Sequence, residues 1–570
     1  MNKFLSTCLL ISTICALKTF SSSPKDYVVF PKISLQKDSA RIYLTFQLED
    51  QYKDAQIAIM KKQPLSNKWE SVENLPSGSL SYFDTLPIQT TVEYGIICSN
   101  DTASAFGYYL VGEMNEFEPY CGNVLILVDS TIEKEIQAEL EQFQNDLLND
   151  CWYSEVRKVP RSEVFNQIEV RKVKRIVNSY KKRWKEKFKV LLLVGRVPVP
   201  YTGNYSFDGH TDHFGAFPSD LFYIIDDSLL SDDIEHNITA SEERNHNVPF
   251  DGKLDQTTIT NEISIAVGRI DFSNLTVFQK SEVELLKNYF KKNHEFRLGK
   301  TDKNFNCIID DGFGTQSDEI FSANAYMNFY ALCDTIIEDK LFDNVSQKYF
   351  RFSYACNSGS YTSIWSSLNS EQCANFEIKS TFLFLLGSYC WDWDSENNLL
   401  RSALASSPNV LISAWIGRPF WHMHHFGFGF PFAKSFLITA NNLNLYPSTG
   451  KYGYKGMHLE VLGDPTIRIF YPSPVQNTEF VIDSNGNVVL FWKKPQELDD
   501  LIGYQINKKE IGNENFNQIA FLPKEFITFV DQNTQKGRWI YQIKAIYNRR
   551  NKFGSYSAPS LGQPIEVLVK

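Results

Sequence analysis

The sequence holds little histidine or methionine, nine and six residues among 570, and no excess of positive charge. Lys and Arg number 57 against 67 Asp and Glu, for a formal net charge of −10. A nucleic-acid binder needs a basic face to displace phosphate counterions, so no nucleic-acid partner is expected. The one basic block, Arg171 to Lys189, reads as the wet face of an amphipathic helix. Cysteine is sparse as well. There are ten, and Cys8 and Cys15 stand near the N-terminus, which leaves too few for a disulfide scaffold. After the first 20 residues no apolar run approaches the roughly 18–20 residues that cross a bilayer, so no stable membrane insertion is expected.

What is present is globular. A chain that is 43% hydrophobic and 14% aromatic can fill several cores, and its length is too great for one. At the start, Lys3 precedes an uncharged run from Phe4 to Leu17, the form of a secretory signal over residues 1–20. The expected location is therefore secreted or extracytoplasmic, with attachment to a cell surface left open. Secretion permits disulfides, and Cys98 with Cys121 and Cys333 with Cys373 are candidate pairs. Cys307, Cys356 and Cys390 sit in or at the ends of apolar runs, where a buried small side chain is the ordinary role.

Three rhythms follow one another. Residues 26–118 alternate apolar and polar in short runs such as ARIYLTFQL and TVEYGIICS, broken by Pro76-Ser77-Gly78, which predicts a β-sandwich. Residues 474–570 repeat this pattern in VVLFWKKP, GYQINKKE and RWIYQIKAIYNR. Between them, 121–471 carries continuous runs such as NVLILVD, KVLLLVGR, YFRFSYAC, TFLFLLGSYC and NVLISAWIG, alternating with helical spacing. This predicts an α/β domain whose mostly parallel sheet is covered by helices on both faces. Ligands bind such sheets beyond the carboxyl ends of the strands, so chemistry is sought just after each run.

Read in order, those strand ends carry a resemblance. LLLVGRVPVPY (191–201), PSDLFY (218–223), ISIAVGRID (263–271) and LEVLGDPTIRIF (459–470) together resemble the gingipain-type cysteine peptidase domain. The resemblance implies a caspase-haemoglobinase-like fold, a peptide or protein substrate, and a nucleophilic Cys placed one strand after a His-Gly pair. The C-terminal segment resembles a fibronectin type III module, and the N-terminal segment does so more weakly. The His-Gly pair is missing here. Its place holds Cys356-Asn357-Ser358-Gly359, and the next strand ends Gly387-Ser388-Tyr389-Cys390, so either Cys390 or Ser388 aligns with the nucleophile.

Candidate residues follow from chemistry at these tips. A thiolate could come from Cys390 or from Cys356, against the alternative that each is a packed strand-end cysteine. Asp392 and Asp394 lie close enough in sequence to raise the pKa of a Cys390 thiol. A base could come from His210 or His213, which flank Asp212 in FDGHTDHFG, or from His424 in WHMHHFG. Asp212, Asp310, Trp391, Asp392 and Arg418 are candidates for contacts to substrate. No cofactor is required by this reading. The acid-rich stretch from Asp226 to Asp255 makes Asp251 and Asp255, beside the turn at Gly252, candidates for Ca²⁺. Two functions remain open: a secreted gingipain-like cysteine peptidase, and a catalytically inactive protein of that fold that binds a polymer or partner.

Overall fold

Strands made wholly of Val, Ile, Leu and Phe have no face that tolerates water, so they form where helices cover both sides of a sheet. The computed structural model describes residues 23–570 except 37–40, 48–51, 86–89, 102, 116–119, 317, 451–452 and 533; the expected signal segment, residues 1–20, thus lies outside the described residues. In it the middle of the chain builds one ten-stranded sheet. Its strands are β1 (Gly122–Asp129), β2 (Trp152–Val159), β3 (Phe188–Val194), β4 (Ala266–Ile270), β5 (Asn306–Asp311), β6 (Thr335–Glu338), β7 (Phe350–Cys356), β8 (Ser380–Leu386), β9 (Ile412–Trp415) and β10 (Leu462–Gly463).

The order is β6-β5-β7-β8-β9-β10-β4-β3-β1-β2. The first five strands are mutually parallel, as are the last four. The short β10 joins the halves: it runs antiparallel to β9 and bridges to Arg269 of β4. Carboxyl ends from both halves face one cleft. Arg196, just after β3, bonds Asp271 after β4 at 3.2 Å and also meets Asp394 beyond β8. The expectation of a mostly parallel α/β sheet is met by this topology.

The resembling motifs interlock. Gly268 of β4 lies so close to β10 that a Cβ there would come within 2.4 Å of the Gly463 carbonyl. The neighbouring Arg269 makes a bidentate pair with Asp220, both bonds 2.7 Å and both side chains buried. A fork-to-fork pair of this kind is among the stronger polar contacts a core can hold.

Helix α1 (Gln137–Asn149), α2 (Gln167–Trp184) and α3 (Glu282–Arg297) cover the sheet. In α2 the Asn166 side chain caps the first turn by accepting the Ile168 and Glu169 N–H groups. Val170, Val173, Val177, Tyr180 and Trp184 are buried at helical spacing, each removing about 1.5–3 kcal/mol of exposed apolar surface. Arg171, Lys172, Arg175 and Lys182 face water, as the basic block predicted. Lys174 turns inward, where its ammonium donates to the Phe222 and Ile225 carbonyls, and the half-buried Lys181 donates to the Ile224 carbonyl beside it. Among the described residues no helix is long and apolar enough to cross a membrane.

The flanking β regions are connected to each other. Gly554–Pro559 pairs in parallel with Ser104–Met114, which makes one nine-stranded sheet from both ends of the chain. Phe553, Tyr556 and Ala558 accordingly sit in the core of the N-terminal region. Cysteine pairing also differs from the sequence expectation. Cys121 and Cys151, each one residue before a neighbouring strand, are bonded with Cα atoms 5.3 Å apart. Cys307 pairs with Cys333, Cα atoms 6.2 Å apart, while Cys98 and Cys373 stay free and buried. Which strands are neighbours decides this, and spacing in the chain does not reveal it.

A Cβ at Gly554 would stand 1.8 Å from the Gly112 carbonyl, at the line where the two ends of the chain meet. Gly554→Ala is expected to destabilise the protein by about 1–3 kcal/mol and to expose the 554–559 strand to limited proteolysis. An unchanged melting temperature and digestion pattern would show that this pairing is not structural.

Candidate active-site cleft

Strand β8 ends at Leu386 and the chain turns sharply through Gly387, Ser388 and Tyr389, the last at φ +64°. The turn is squeezed against the loop after β7. A Cβ at Gly359 would lie 2.7 Å from the Gly387 Cα and 2.8 Å from the Ser388 nitrogen. Ser388 leaves this turn half-buried, and its Oγ is 2.9 Å from Nε2 of the exposed His210. The His210 ring stacks on Tyr389, with centroids 4.9 Å apart and planes at 22°.

Asp208 fixes both loops. One carboxylate oxygen accepts the Tyr389 N–H at 2.8 Å and Nδ1–H of His213 at 2.7 Å. The other accepts the His210 N–H at 3.2 Å and the Ser206 hydroxyl at 2.9 Å. On its far side His213 reaches Asp392 at 3.5 Å, and Asp392 receives both Nη groups of Arg244. Burial opposes charge on His213, but the bonds to Asp208 and Asp392 outweigh it and raise its pKa to about 9. Burial likewise opposes ionisation of Asp208 and Asp392. The His213 bond for Asp208, and Arg244 with His213 for Asp392, still hold both carboxyls below the usual range. The result is a buried row of alternating charge, Arg244, Asp392, His213, Asp208, directly beneath Ser388.

The two candidate thiols are sealed. Cys390 is fully buried, its S–H donates to the Gly387 carbonyl at 3.1 Å, and burial pushes it up to about 12. At neutral pH that leaves a thiolate fraction of about one in 10⁵. Cys356 is buried too; its S–H donates to Asp311 at 3.2 Å, and burial and that carboxylate raise it well above the ordinary thiol value. Among the described residues neither sulfur is hydrogen-bonded to a histidine.

Other expected site residues take different places. Asp212 does reach the turn, where it accepts the Tyr389 hydroxyl at 2.9 Å, but the acid that bonds an imidazole is Asp208. Trp391 is not an exposed platform: it is buried against Phe217, Phe207 and His213. Asp392 is buried and engaged by Arg244, so it belongs to the support rather than the substrate surface. Asp310 caps Leu341 and meets Lys340, which removes it from the cleft wall. Arg418 is held in place by Glu319 and the Phe207 carbonyl.

His424 is a correction of another kind. It lies with His425 against Glu93 of the N-terminal β region, Nε2 to carboxylate 2.9 and 3.0 Å, with Lys62 and Tyr446 completing the shell of Glu93. Burial, only partly offset by Glu93, lowers His424 to about 4, and the cluster ties two regions together instead of lining the cleft. Asp251 and Asp255 are likewise occupied. Asp251 accepts the Val248 and Lys253 N–H groups, and Asp255 accepts those of Asp233, Ile234 and Glu235, as loop-closing carboxylates do. Among the described residues Glu93, His424 and His425 form the group of metal-ligating type, not these aspartates.

Beside the turn opens a cleft of about 580 Å³, lined by Tyr201, Arg244, Glu242, Tyr361, Asp394 and Glu396 among others. Tyr361 packs 5.3 Å from Tyr389, which places the cleft next to Ser388.

No protein-family model matches the chain, and no curated protein matches it. Among solved structures, the complex of Porphyromonas gingivalis RgpB pro- and mature domains aligns with TM-score 0.46 and 11% identity, covering 79% of this chain and all of that one. The Arg-specific cysteine proteinase gingipain R (RgpB) aligns with TM-score 0.43 and 10% identity, over 80% of this chain and all of that one. The fn3 domain of human contactin 1 covers 17% of this chain and 78% of its own, with TM-score 0.14 and 17% identity.

Two outcomes follow. Iodoacetamide at neutral pH should alkylate Cys98, Cys356, Cys373 and Cys390 only on unfolding; rapid native alkylation of any of these four would contradict the sealed geometry. His213 has a folded pKa above its unfolded value of about 6.5, so its contribution to stability is fully present below that value and lost as pH rises through about 9. The difference corresponds to on the order of 3 kcal/mol. His213→Gln should flatten the fall in melting temperature between pH 7 and 10, and an unaltered pH profile would exclude this role.

Proposed function

We propose that this protein binds a cationic segment of a peptide or protein in the cleft above the carboxyl ends of β8 and β3, and that its cysteines take no part in chemistry. The observation that carries the reading is the imbalance of available charge around the cleft. Glu242 and Glu396 present exposed carboxylates, while Glu163 is paired with Arg161. The two lining cations are already engaged, Arg196 by Asp271 and Asp394 and Arg244 by Asp392. A lysine or arginine side chain entering there meets net negative charge and the partly exposed ring of Tyr361, a combination that favours a cation. The volume suits one or two side chains with adjoining backbone.

The peptide class is supported by the ordered motifs that resemble gingipain-type domains. Hydrolysis by a cysteine is disfavoured by thiols that are buried, bonded to acceptors and shifted away from the thiolate. A location outside the cytoplasm is supported by the signal-like N-terminus and by two disulfides, which persist in oxidising compartments.

Fluorescence anisotropy with a labelled Lys/Arg-rich peptide and a Glu-rich peptide of equal length tests this. The cationic peptide should bind, more weakly as salt rises, and Glu242→Lys should weaken it about tenfold, equivalent to about 1.4 kcal/mol. Equal affinity for both peptides, or indifference to Glu242→Lys and Tyr361→Ala, would sink the reading.

A further inference from the structure

We infer that Ser388 is an acyl-accepting nucleophile and His210 its general base, so that the cleft holds a serine-type site for ester or amide substrates in place of a thiol. Three independent observations support this. The Ser388 Oγ to His210 Nε2 distance of 2.9 Å is within reach for proton transfer. The hydroxyl stands two residues past the end of a parallel strand, on a turn whose next residue has left-handed backbone, so it projects from the sheet edge toward solvent. The pair is also fixed from below: Asp208 accepts the N–H of His210 itself and of Tyr389, the residue after Ser388.

The support is the informative part. Asp208, His213 and Asp392 are at most 2% exposed, and buried charges stabilise little unless fully paired. Here they are fully paired, and what they hold in place is a half-exposed serine and an exposed imidazole. Among the described residues Ser388 Oγ has no other hydrogen-bond partner. A serine hydroxyl is a weak nucleophile until a base accepts its proton, and His210 is the one imidazole within reach.

The chemistry balances without a cofactor. The bond from Ser388 Oγ to the acyl carbon forms as the hydroxyl proton passes to His210 Nε2. The bond from acyl carbon to leaving group then breaks, and the leaving amine or alcohol departs with that proton. Water next attacks the acyl carbon and gives a proton to His210. The Oγ–acyl bond breaks, and Ser388 recovers its proton from His210. The choice of substrate rests on the cleft-binding reading above, because the scissile bond would lie beside whatever the cleft holds.

The test uses the full chain with a fluorophosphonate probe and a chromogenic ester, with the modified residue located by peptide mass spectrometry. Label is expected on Ser388, lost in Ser388→Ala and slowed on the order of 10²–10⁴-fold in His210→Gln. Prior treatment with iodoacetamide should leave labelling unchanged. Ser388→Cys adds a positive readout, since a thiol placed against His210 should alkylate in the native state where the four free cysteines among the described residues do not. Absence of label on Ser388, or label that persists in folded Ser388→Ala, overturns the inference. Failure of the two readings is distinguishable: peptide binding without label removes the nucleophile alone, and label without preference for cationic peptides removes the cleft reading alone.

Discussion

The buried carboxylate of Asp208 is the constraint on which the cleft depends. It takes four hydrogen bonds, from a serine hydroxyl, an imidazole and two backbone N–H groups, and these come from two loops far apart in the chain. An unpaired carboxylate at that depth would not stay ionised. His213 keeps it ionised, Asp392 keeps His213 charged, and Arg244 keeps Asp392 charged. The four groups alternate in sign, so the row is neutral overall while each member is strongly oriented. Its effect is geometric: it sets the distance between a strand-end turn and a loop whose Phe207 is packed against Trp391 and His458.

The scaffold supplies the crevice in which that row can form. Two parallel halves meet at β10, and the loops after β3 and β8, one from each half, converge above the seam. Close backbone approach at Gly268 seats β4 against β10, and the Arg269–Asp220 pair ties the segment after β3 to β4. The N-terminal region is fastened to the same body by Glu93 and its histidines, and to the C-terminal region by the parallel pairing at Gly112 and Gly554. Both ends of the chain therefore brace the central sheet.

Chemistry at the strand ends follows burial more closely than residue type. Cys390 lies in the stretch where a nucleophile was sought, yet its side chain turns inward and donates to the Gly387 carbonyl. Ser388, two residues earlier, turns outward toward an imidazole. Residues two apart in an extended chain would share a face; the left-handed turn at Tyr389, φ +64°, lies between these two and separates a packed thiol from an accessible hydroxyl. That is also why Trp391 and Asp392, conspicuous in the sequence, prove to be support for the turn and not its surface.

The sequence by itself determined the layers. Continuous apolar runs could only be strands covered on both faces, the valine spacing of 167–184 could only bury one side of a helix, and FDGHTDHFG already placed acid and imidazole together at a strand end. The tertiary structure alone decided which strands are neighbours, and with that everything that needs proximity. It pairs Cys121 with Cys151, sends His424 to Glu93, occupies Asp251 and Asp255 with backbone N–H groups, and sets His210 against Ser388. The physical reason is one of range. Burial and periodicity are local properties that a short stretch of residues carries in its own composition. A hydrogen bond acts over about 3 Å, and only the folded sheet brings residues 178 positions apart to that distance.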